Sequence, residues 1–359
     1  MRPALADPTL FPAGDGPDEI GDGLWRIPLP LPFALRVVNV YLTNDGAGGW
    51  TLFDSGLGLP ADETALQAGL AVAGITLHDI TALVLTHGHP DHIGLAGAVV
   101  SAAGCPVYMF ARAPERMYRI WGRREEETDD DVIQALQAMY RAHGLPGDAL
   151  ASVAPSTLRM RQILRLPPAD SIVAIDDGEV VTLGGRQYEA IWTPGHSDDH
   201  LCLLRDDGVF FAGDHILPAI TPNIGLFPDA RPDPLRDYFM SLDRVQTLPS
   251  RLTLPGHGRP FTGLSERVDA LRSHHKERSA TLLAEVATRP AGASSWELAS
   301  ALFAERLRTV DDQRFALVET LAHLEHLRGT GQVRRERQDD VIVYTADAAL
   351  SIVNIPSKA

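Results

Sequence analysis

One short segment holds most of the residues that could do chemistry. It reads THGHPDH at positions 86–92, directly after an apolar run at 82–85 that predicts a buried strand. The glycine and the proline of this segment predict a sharply bent loop. The side chains that could bind a metal are His87, His89, Asp91 and His92.

The spacing of these four side chains favours two metal ions over one. The first two histidines are two positions apart, so in an extended loop they can point to the same side. The aspartate and the last histidine are adjacent, so they must reach different points. Imidazole together with carboxylate suits zinc, with iron, manganese or cobalt as less selective alternatives. One loop can therefore supply ligands to two ions.

Three later loops repeat the pattern of a polar ligand beside a glycine at the end of a predicted strand. They read TPGHS at 193–197, AGDH at 212–215 and LPGHG at 254–258. The candidate ligands in them are His196, Asp214 and His257. Glycine at a strand end permits a close backbone approach. One such turn would be weak evidence, but three of them after the 86–92 loop predict a single shared site.

Composition limits the classes of protein to consider. The chain has 359 residues, of which 45% are hydrophobic and 22% charged, as in soluble globular proteins. Its formal net charge of −15 argues against a mainly electrostatic nucleic-acid binder. Its two cysteines, Cys105 and Cys202, form no CxxC pair, which is typical of a reducing compartment.

No apolar run is long enough to predict a membrane span, and the first residues lack the features of a signal peptide. We therefore expect a cytoplasmic protein without a membrane partner.

The order of elements predicts several segments. Residues 1–19 are expected to form a loose arm, and alternating strands and helices predict a layered α/β domain over 20–264. A helical insertion at 111–165 interrupts that domain and could cover an active site. A connecting helix is predicted over 265–288. Helices followed by a hairpin predict a small winged-helix-like domain over 289–359.

The C-terminal segment poses the question of nucleic-acid binding. From 289 to 345 it carries eight arginines and nine acidic residues, whereas nucleic-acid modules usually present a net basic face. Its only basic cluster is Arg334, Arg335 and Arg337. We therefore expect a packing or homodimer-forming role. The pair His274 and His275 in the connecting helix is predicted to lie on an exposed face.

The ordered set of polar side chains resembles the metallo-β-lactamase superfamily of binuclear metallohydrolases. The matching residues are Asp54, His87, His89, Asp91, His92, His196, Asp214 and His257. The resemblance covers about 24–261. It implies a four-layer αββα sandwich of two similar halves, with the site at one edge of the paired sheets.

The resemblance also implies a role for each residue. His87, His89 and His196 would hold one divalent ion; Asp91, His92 and His257 would hold the other. Asp214 would bridge the two ions and Asp54 would orient the ligand loop. Two ions about 3.5–4 Å apart, zinc being favoured with iron or manganese as alternatives, would share a hydroxide that attacks an acyl carbonyl. Asp91 and Asp214 would hold this nucleophile and are the catalytic candidates.

Departures from relatives narrow the prediction. His89 is not the glutamate of the redox di-iron flavoproteins. Asp214 and His257 are 43 positions apart, which leaves no room for the large domain of the nucleases that process messenger RNA ends. The chain thus resembles glyoxalase II, lactonases and related ester or thioester hydrolases. Two alternatives stay open, a ribonuclease of the winged-helix subgroup and a mononuclear iron persulfide enzyme.

The substrate is expected to be a small acyl compound. The sequence has no Gly-x-Ser-x-Gly motif, so it does not suggest a serine hydrolase. The loop that leaves Asp214 supplies the candidate pocket residues Thr221, Asn223 and Phe227. His215, next to Asp214, is predicted to be only a structural neighbour.

Overall fold

The computed structural model describes residues 15–21, 23–32, 35–44, 46, 49–122 and 130–347. The chain forms two compact units. The described residues of the first lie within Met1–Glu125, Leu158–Pro222 and Arg244–Arg267. Those of the second lie within Glu126–Thr157, Asn223–Asp243 and Val268–Ala359. Most of the described part of the predicted insertion thus belongs to the second unit. The predicted domain boundaries stay predictions, and most of the predicted arm lies outside the described residues.

The first unit contains a seven-stranded sheet whose strands follow the chain order. The strands are β1 (Asp18–Gly21), β2 (Leu24–Pro30), β3 (Val37–Asn44), β4 (Trp50–Phe53), β5 (Ile80–Val84), β6 (Val107–Phe110) and β7 (Ile172–Ile175). Strands β1 to β4 pair antiparallel and β4 to β7 pair parallel. The loop at 86–92 therefore begins at the carboxyl end of β5, beside the carboxyl end of β4.

A second sheet of five strands lies in the same unit, in the order β12-β11-β10-β9-β8. Its strands are β8 (Val180–Leu183), β9 (Arg186–Trp192), β10 (Leu201–Arg205), β11 (Val209–Gly213) and β12 (Leu252–Pro255). Only β11 and β12 pair parallel. The carboxyl ends of β11 and β12 therefore lie side by side, which brings the loops with Asp214 and His257 together.

The two sheets face each other across an apolar core. Phe53 of β4 stacks on Phe211 of β11 with ring centroids 3.9 Å apart, and Tyr188 of β9 lies 5.6 Å from Phe53. Every strand of the two sheets except β1 contributes buried apolar side chains to this core. The predicted α/β sandwich is confirmed.

The structure has α1 (Pro60–Val72), α2 (Pro90–Ile93), α3 (Ala96–Ala103), α4 (Ala113–Trp121), α5 (Asp131–Ala142), α6 (Gly147–Ala151), α7 (Val153–Ile163), α8 (Pro234–Gln246), α9 (Leu264–Ala287), α10 (Ser295–Phe303) and α11 (Val310–Gly329). Two 3₁₀ turns lie at Leu77–Asp79 and Ala169–Ser171. No helix of the described residues is both long and apolar enough to span a bilayer.

The second unit combines helices with a small sheet. That sheet has the order β13-β15-β14, from Ala293–Ser294, Val341–Ala346 and Val333–Gln338. Helix α10 begins with a capping box between Ser294 and Glu297, and its apolar face packs with α11 and the sheet. Two helices followed by a hairpin match the predicted order of elements, whereas the winged-helix assignment stays a prediction.

The prediction that His274 and His275 share an exposed face is wrong for His275. Its side chain is fully buried, and its Nδ1 lies 3.2 Å from Nε2 of the buried His323 on α11. The Nδ1 of His323 in turn lies 2.8 Å from the carbonyl oxygen of Glu319, so it donates there. Burial, together with the neighbouring His323, lowers the pKa of His275 to about 2. Burial also lowers the pKa of His323 to about 4, and Arg278 acts in the same direction. Both rings are therefore neutral at physiological pH.

This buried pair predicts a loss of stability in acid. Below about pH 6.5 the unfolded chain binds protons that the folded rings do not accept, so the free energy of unfolding falls by roughly 1.4 kcal/mol per pH unit for each ring. This stability is complete above about pH 6.5 and declines toward the lowered pKa values of the folded chain. In the wild type the free energy of unfolding should be lower at about pH 5 than at about pH 6.5. Replacing His275 by phenylalanine should reduce this difference by roughly 2 kcal/mol, as measured by urea unfolding. The control His78→Gln removes an exposed histidine and should leave that difference unchanged. Identical pH profiles for wild type and His275→Phe would contradict the neutral pair.

Candidate metal centre

The 86–92 loop is fastened to the first sheet by one buried carboxylate. Asp54, directly after β4, accepts hydrogen bonds from the backbone N–H and the hydroxyl of Thr86 at 2.8 and 2.9 Å. Its Oδ2 also lies 2.8 Å from Nδ1 of His92. The backbone of Asp54 has a φ of +60°, a conformation that is uncommon outside glycine, asparagine and aspartate. Asp54 thus contacts both ends of the loop.

The structure brings the seven predicted ligands together at the carboxyl ends of the strands. Their ligand atoms form three groups, in each of which all atoms lie within 4.8 Å of one another. The groups are His87, His89 and His196; His87, His92 and Asp214; and Asp91, His92 and His257. The first and third groups reproduce the two predicted three-ligand sets.

Asp214 lies between these two sets. Its Oδ1 is 3.5 Å from Nε2 of His92, and its Oδ2 is 3.5 Å from Nε2 of His196 and 3.2 Å from Nε2 of His257. Each carboxylate oxygen therefore faces at least one imidazole. This is the position that a bridging ligand would need.

The protein fixes the orientation of three imidazoles through their Nδ1 atoms. Nδ1 of His87 lies 3.0 Å from the Thr86 hydroxyl, and Nδ1 of His257 lies 2.6 Å from the carbonyl oxygen of Val37. His92 is held by Asp54. A carbonyl can only accept, so His257 donates through Nδ1 and its Nε2 carries the lone pair when the ring is neutral. In each of these rings Nε2 faces the centre, which is the usual arrangement for a histidine that binds a metal.

Buried atoms without hydrogen bonds indicate which kind of ion the centre could bind. Among the described residues, Nε2 of His87, His92 and His257 and Oδ1 of Asp214 are buried and make no hydrogen bond. A buried polar atom without a hydrogen-bond partner is costly, and here several such atoms point toward one place. Imidazole nitrogens and carboxylate oxygens that converge in this way fit divalent ions such as zinc.

The charges around Asp214 lead to the same conclusion. Burial lowers the pKa of His257, but Asp214 and Asp91 outweigh it and raise that pKa to about 10. Burial raises the pKa of Asp214, but His257 and His92 outweigh it and hold that pKa well below its usual value. Burial together with the neighbouring imidazoles lowers the pKa of His87. The carboxylates thus stabilise positive charge in the centre. Without a metal ion, protons on the imidazoles supply this charge, and a metal ion would have to displace those protons to bind.

The centre is open on one side. His89, Asp91 and His196 are partly exposed, whereas His87, His92 and His257 are buried. The side chain of Asp91 is 18% exposed, against 8% for Asp214. A substrate would therefore approach past Asp91.

Several residues that support the centre were missed in the sequence. The buried His200 accepts the backbone N–H of Asp214 through Nε2 at 3.1 Å, and its Nδ1 lies 2.9 Å from the Thr193 hydroxyl. Asn39 and Tyr41 on β3 both donate to the carbonyl oxygen of Pro255, at 3.0 and 2.8 Å. For His200, its place four residues after His196 was the available signal. Asn39 and Tyr41 had none, because their partner is more than 200 residues away.

The candidate pocket residues belong to two different units. Thr221 is half-buried and belongs to the first unit, with the centre. Asn223 and Phe227 belong to the second unit, where the amide of Asn223 donates to Glu319 at 3.2 Å and Phe227 packs near Val318. Their role in a substrate pocket stays a prediction.

Two facing sheets with a histidine and aspartate cluster at their carboxyl edge define a class of α/β sandwich proteins with a metal centre. The family model for the metallo-beta-lactamase superfamily matches residues 34–257, which include all eight residues of the site. The model for the metallo-beta-lactamase-like C-terminal domain matches residues 280–347. The chain therefore belongs to the metallo-beta-lactamase superfamily.

Similar proteins agree with this assignment. Atrochrysone carboxyl ACP thioesterase from Aspergillus fumigatus is 28% identical over 298 residues, which are 80% of this chain and 75% of the relative. The probable metallo-hydrolase YqjP of Bacillus subtilis is 28% identical over 268 residues, 71% of this chain and 77% of the relative. The crystal structure of a metallo-beta-lactamase family protein from Thermus thermophilus is similar to this chain with a TM-score of 0.80 and 33% sequence identity. The match covers 92% of this chain and 100% of the Thermus chain. Together these findings identify the chain as a hydrolase of this fold.

Proposed function

We propose that the protein is a metal-dependent hydrolase that cleaves a small ester, thioester or lactone at a centre of two divalent ions, zinc being favoured. The carrying observation is the arrangement of three and three candidate ligands around Asp214. A single ion would leave one of the two sets without a partner. The similarity to a thioesterase and to a metallo-hydrolase supports acyl hydrolysis.

The residues of the chain have separate tasks in this proposal. His87, His89 and His196 would hold one ion, and Asp91, His92 and His257 would hold the other. Ions held there would supply an activated water molecule and polarise the carbonyl group of the substrate. Asp214 lies between the sets and offsets their positive charge. The more exposed Asp91 is placed to accept a hydrogen bond from the attacking water and to orient it.

Among acyl substrates, a thioester is the one whose cleavage needs no general acid from the protein. A thiolate leaves without a general acid because its conjugate thiol has a pKa of about 8.5, whereas an alkoxide needs a proton. The thioesterase among the relatives supports the same choice. We therefore place thioesters first and esters and lactones second.

The ribonuclease alternative is weakened by the charges of the hairpin. Arg334 pairs with Asp347 at 3.1 Å, Arg335 with Glu325 at 3.1 Å, and Arg337 lies 3.7 Å from Asp340. Arginines that already face carboxylates contribute little net charge toward phosphates. A small acyl compound is therefore the proposed partner. We also propose that the protein forms a homodimer and is located in the cytoplasm.

We expect the purified protein to hydrolyse a small thioester with modest dependence on salt. Replacing Arg334, Arg335 and Arg337 together by alanine should leave this turnover nearly unchanged, because acyl hydrolysis needs no phosphate contacts. A chelator should abolish turnover, and added zinc should restore it. Activity is measured on thioesters, esters, lactones and single-stranded RNA at two salt concentrations.

The same panel distinguishes the alternatives. Strong, salt-sensitive RNA cleavage that the triple arginine variant loses would replace acyl hydrolysis with the ribonuclease function. Metal analysis that gives one iron per chain would favour the mononuclear iron enzyme instead. Two zinc equivalents would count against that iron enzyme.

A further inference from the structure

The backbone of Gly88, between His87 and His89, is held from two directions. Its N–H donates to Oδ2 of Asp199 at 2.9 Å, and its carbonyl oxygen accepts from the indole Nε1 of Trp121 at 2.8 Å. These two bonds fix the peptide groups on either side of Gly88. The direction in which both histidines leave the backbone is therefore fixed as well.

The carboxylate of Asp199 joins this loop to the third histidine of the same set. Asp199 lies three residues after His196 and is only 2% exposed. Its other oxygen, Oδ1, accepts from the hydroxyl of Ser197, which is the residue next to His196, and from Nη1 of Arg116 at 3.2 Å. Hydrogen bonds between ionised groups are roughly twice as strong as neutral ones, and a buried carboxylate is retained only with such partners.

Helix α4 supplies two of these contacts. Arg116 and Trp121 both lie on it, and Nη1 of Arg116 also donates to the Ser197 hydroxyl at 3.2 Å. The space at Gly88 is closed by the same group, because a Cβ atom there would lie 2.8 Å from Oδ2 of Asp199. Three segments that are distant in sequence thus meet at one carboxylate.

We propose that Asp199, held by Arg116 and assisted by Trp121, is a positioning residue that sets the spacing of His87, His89 and His196. It acts through the two loops and not through contact with the substrate. This inference rests on the proposed function, since it assigns these three histidines to one ion. It gives α4 a part in the metal centre itself, beyond the cover that the sequence suggested for the insertion.

The test is a stepwise zinc titration of metal-free protein against a chelating indicator. Asp199→Ala should weaken one of the two zinc equivalents by roughly 10- to 100-fold, the range for residues that orient metal ligands, and leave the other unchanged. Asp199→Asn should lie between wild type and alanine, because its amide oxygen can still accept from Gly88 while its amide nitrogen faces Arg116. Trp121→Phe keeps an aromatic ring but removes the N–H that donates to Gly88, and should weaken the same equivalent by a smaller factor.

The control is Asp198→Ala, which removes a carboxylate one position earlier in the chain. It keeps the backbone carbonyl oxygen of residue 198, which accepts a hydrogen bond from Nε1 of Trp192. It should bind both equivalents as the wild type does. Unchanged zinc affinities in Asp199→Ala and Trp121→Phe would overturn the inference. So would an equal loss of both equivalents together with a lower melting temperature of the metal-free protein, which indicates a general structural role. A wild type that binds fewer than two ions would instead refute the proposed binuclear centre.

Discussion

Replacing Asp214 by alanine is expected to remove metal from both sets of ligands and to lower turnover by roughly 1000-fold or more, several kcal/mol of transition-state stabilisation. The reason is geometric, because the carboxylate of Asp214 faces imidazoles of both sets: Oδ2 lies 3.5 Å from His196 and 3.2 Å from His257. His257→Ala removes a ligand from one set only, so it should weaken mainly one ion. Metal content per chain and thioesterase activity are measured on both variants.

The control for this pair is Asp340→Ala, whose side chain is 96% exposed on the hairpin of the second unit. It should keep full metal content and full activity. If Asp214→Ala retained both ions at wild-type occupancy, the bridging role of Asp214 would be wrong. If His257→Ala lost both ions as completely as Asp214→Ala, the division into two sets would be wrong.

Replacing Gly256 by alanine is expected to damage the centre although glycine carries no ligand. A Cβ atom at this position would lie 2.2 Å from Oδ1 of Asp214 and 2.9 Å from Cε1 of His92. Neither side chain can move away easily. Asp54 holds His92, and the carboxylate of Asp214 is surrounded by imidazoles at 3.2–3.5 Å. We expect metal affinity to fall by at least roughly 100-fold and stability by about 1–3 kcal/mol, the range for overpacked sites.

A matched control is Gly147→Ala at the start of α6, where a Cβ atom would meet nothing within 4 Å. This variant should bind metal like the wild type and be equally stable or slightly more stable. Zinc titration and chemical unfolding of the two metal-free variants make the comparison. Wild-type metal affinity in Gly256→Ala would show that the loops around Asp214 are far less rigid than their contacts indicate.

Local patterns in the sequence predicted most elements, with informative errors. Helical spacing at 62–73 and at 132–143 predicts two helices, and the structure has α1 and α5 there. Pro28 and Pro30 in the predicted strand at 25–31 indicate an edge strand, because proline has no N–H to donate to a neighbouring strand. In the structure, however, β2 lies between β1 and β3. The prolines are tolerated because β1 pairs only with Leu24–Arg26, which leaves that side of β2 without a strand beside Pro28 and Pro30 among the described residues.

The burial of His275 shows a different kind of error. A histidine in a charged stretch of helix reads as exposed, and its immediate neighbours support that prediction. Its actual partner, His323, lies 48 positions away on another helix. Nothing near His275 in the sequence signals this contact.

The sequence by itself determined the set of candidate ligands and their order. Five of them, His87, His89, His196, Asp214 and His257, adjoin a glycine after a predicted strand, and the other two follow in the 86–92 loop. This local pattern can be recognised without knowledge of the fold. Tertiary structure alone decided how these loops are held. Asp199 and Trp121 bond to the backbone of Gly88 across 111 and 33 positions, and Arg116 bonds to Asp199 across 83. These hydrogen bonds leave no periodic or spaced pattern in the sequence. Such contacts exist only once the two sheets and α4 have packed, since packing brings distant loops within hydrogen-bonding distance.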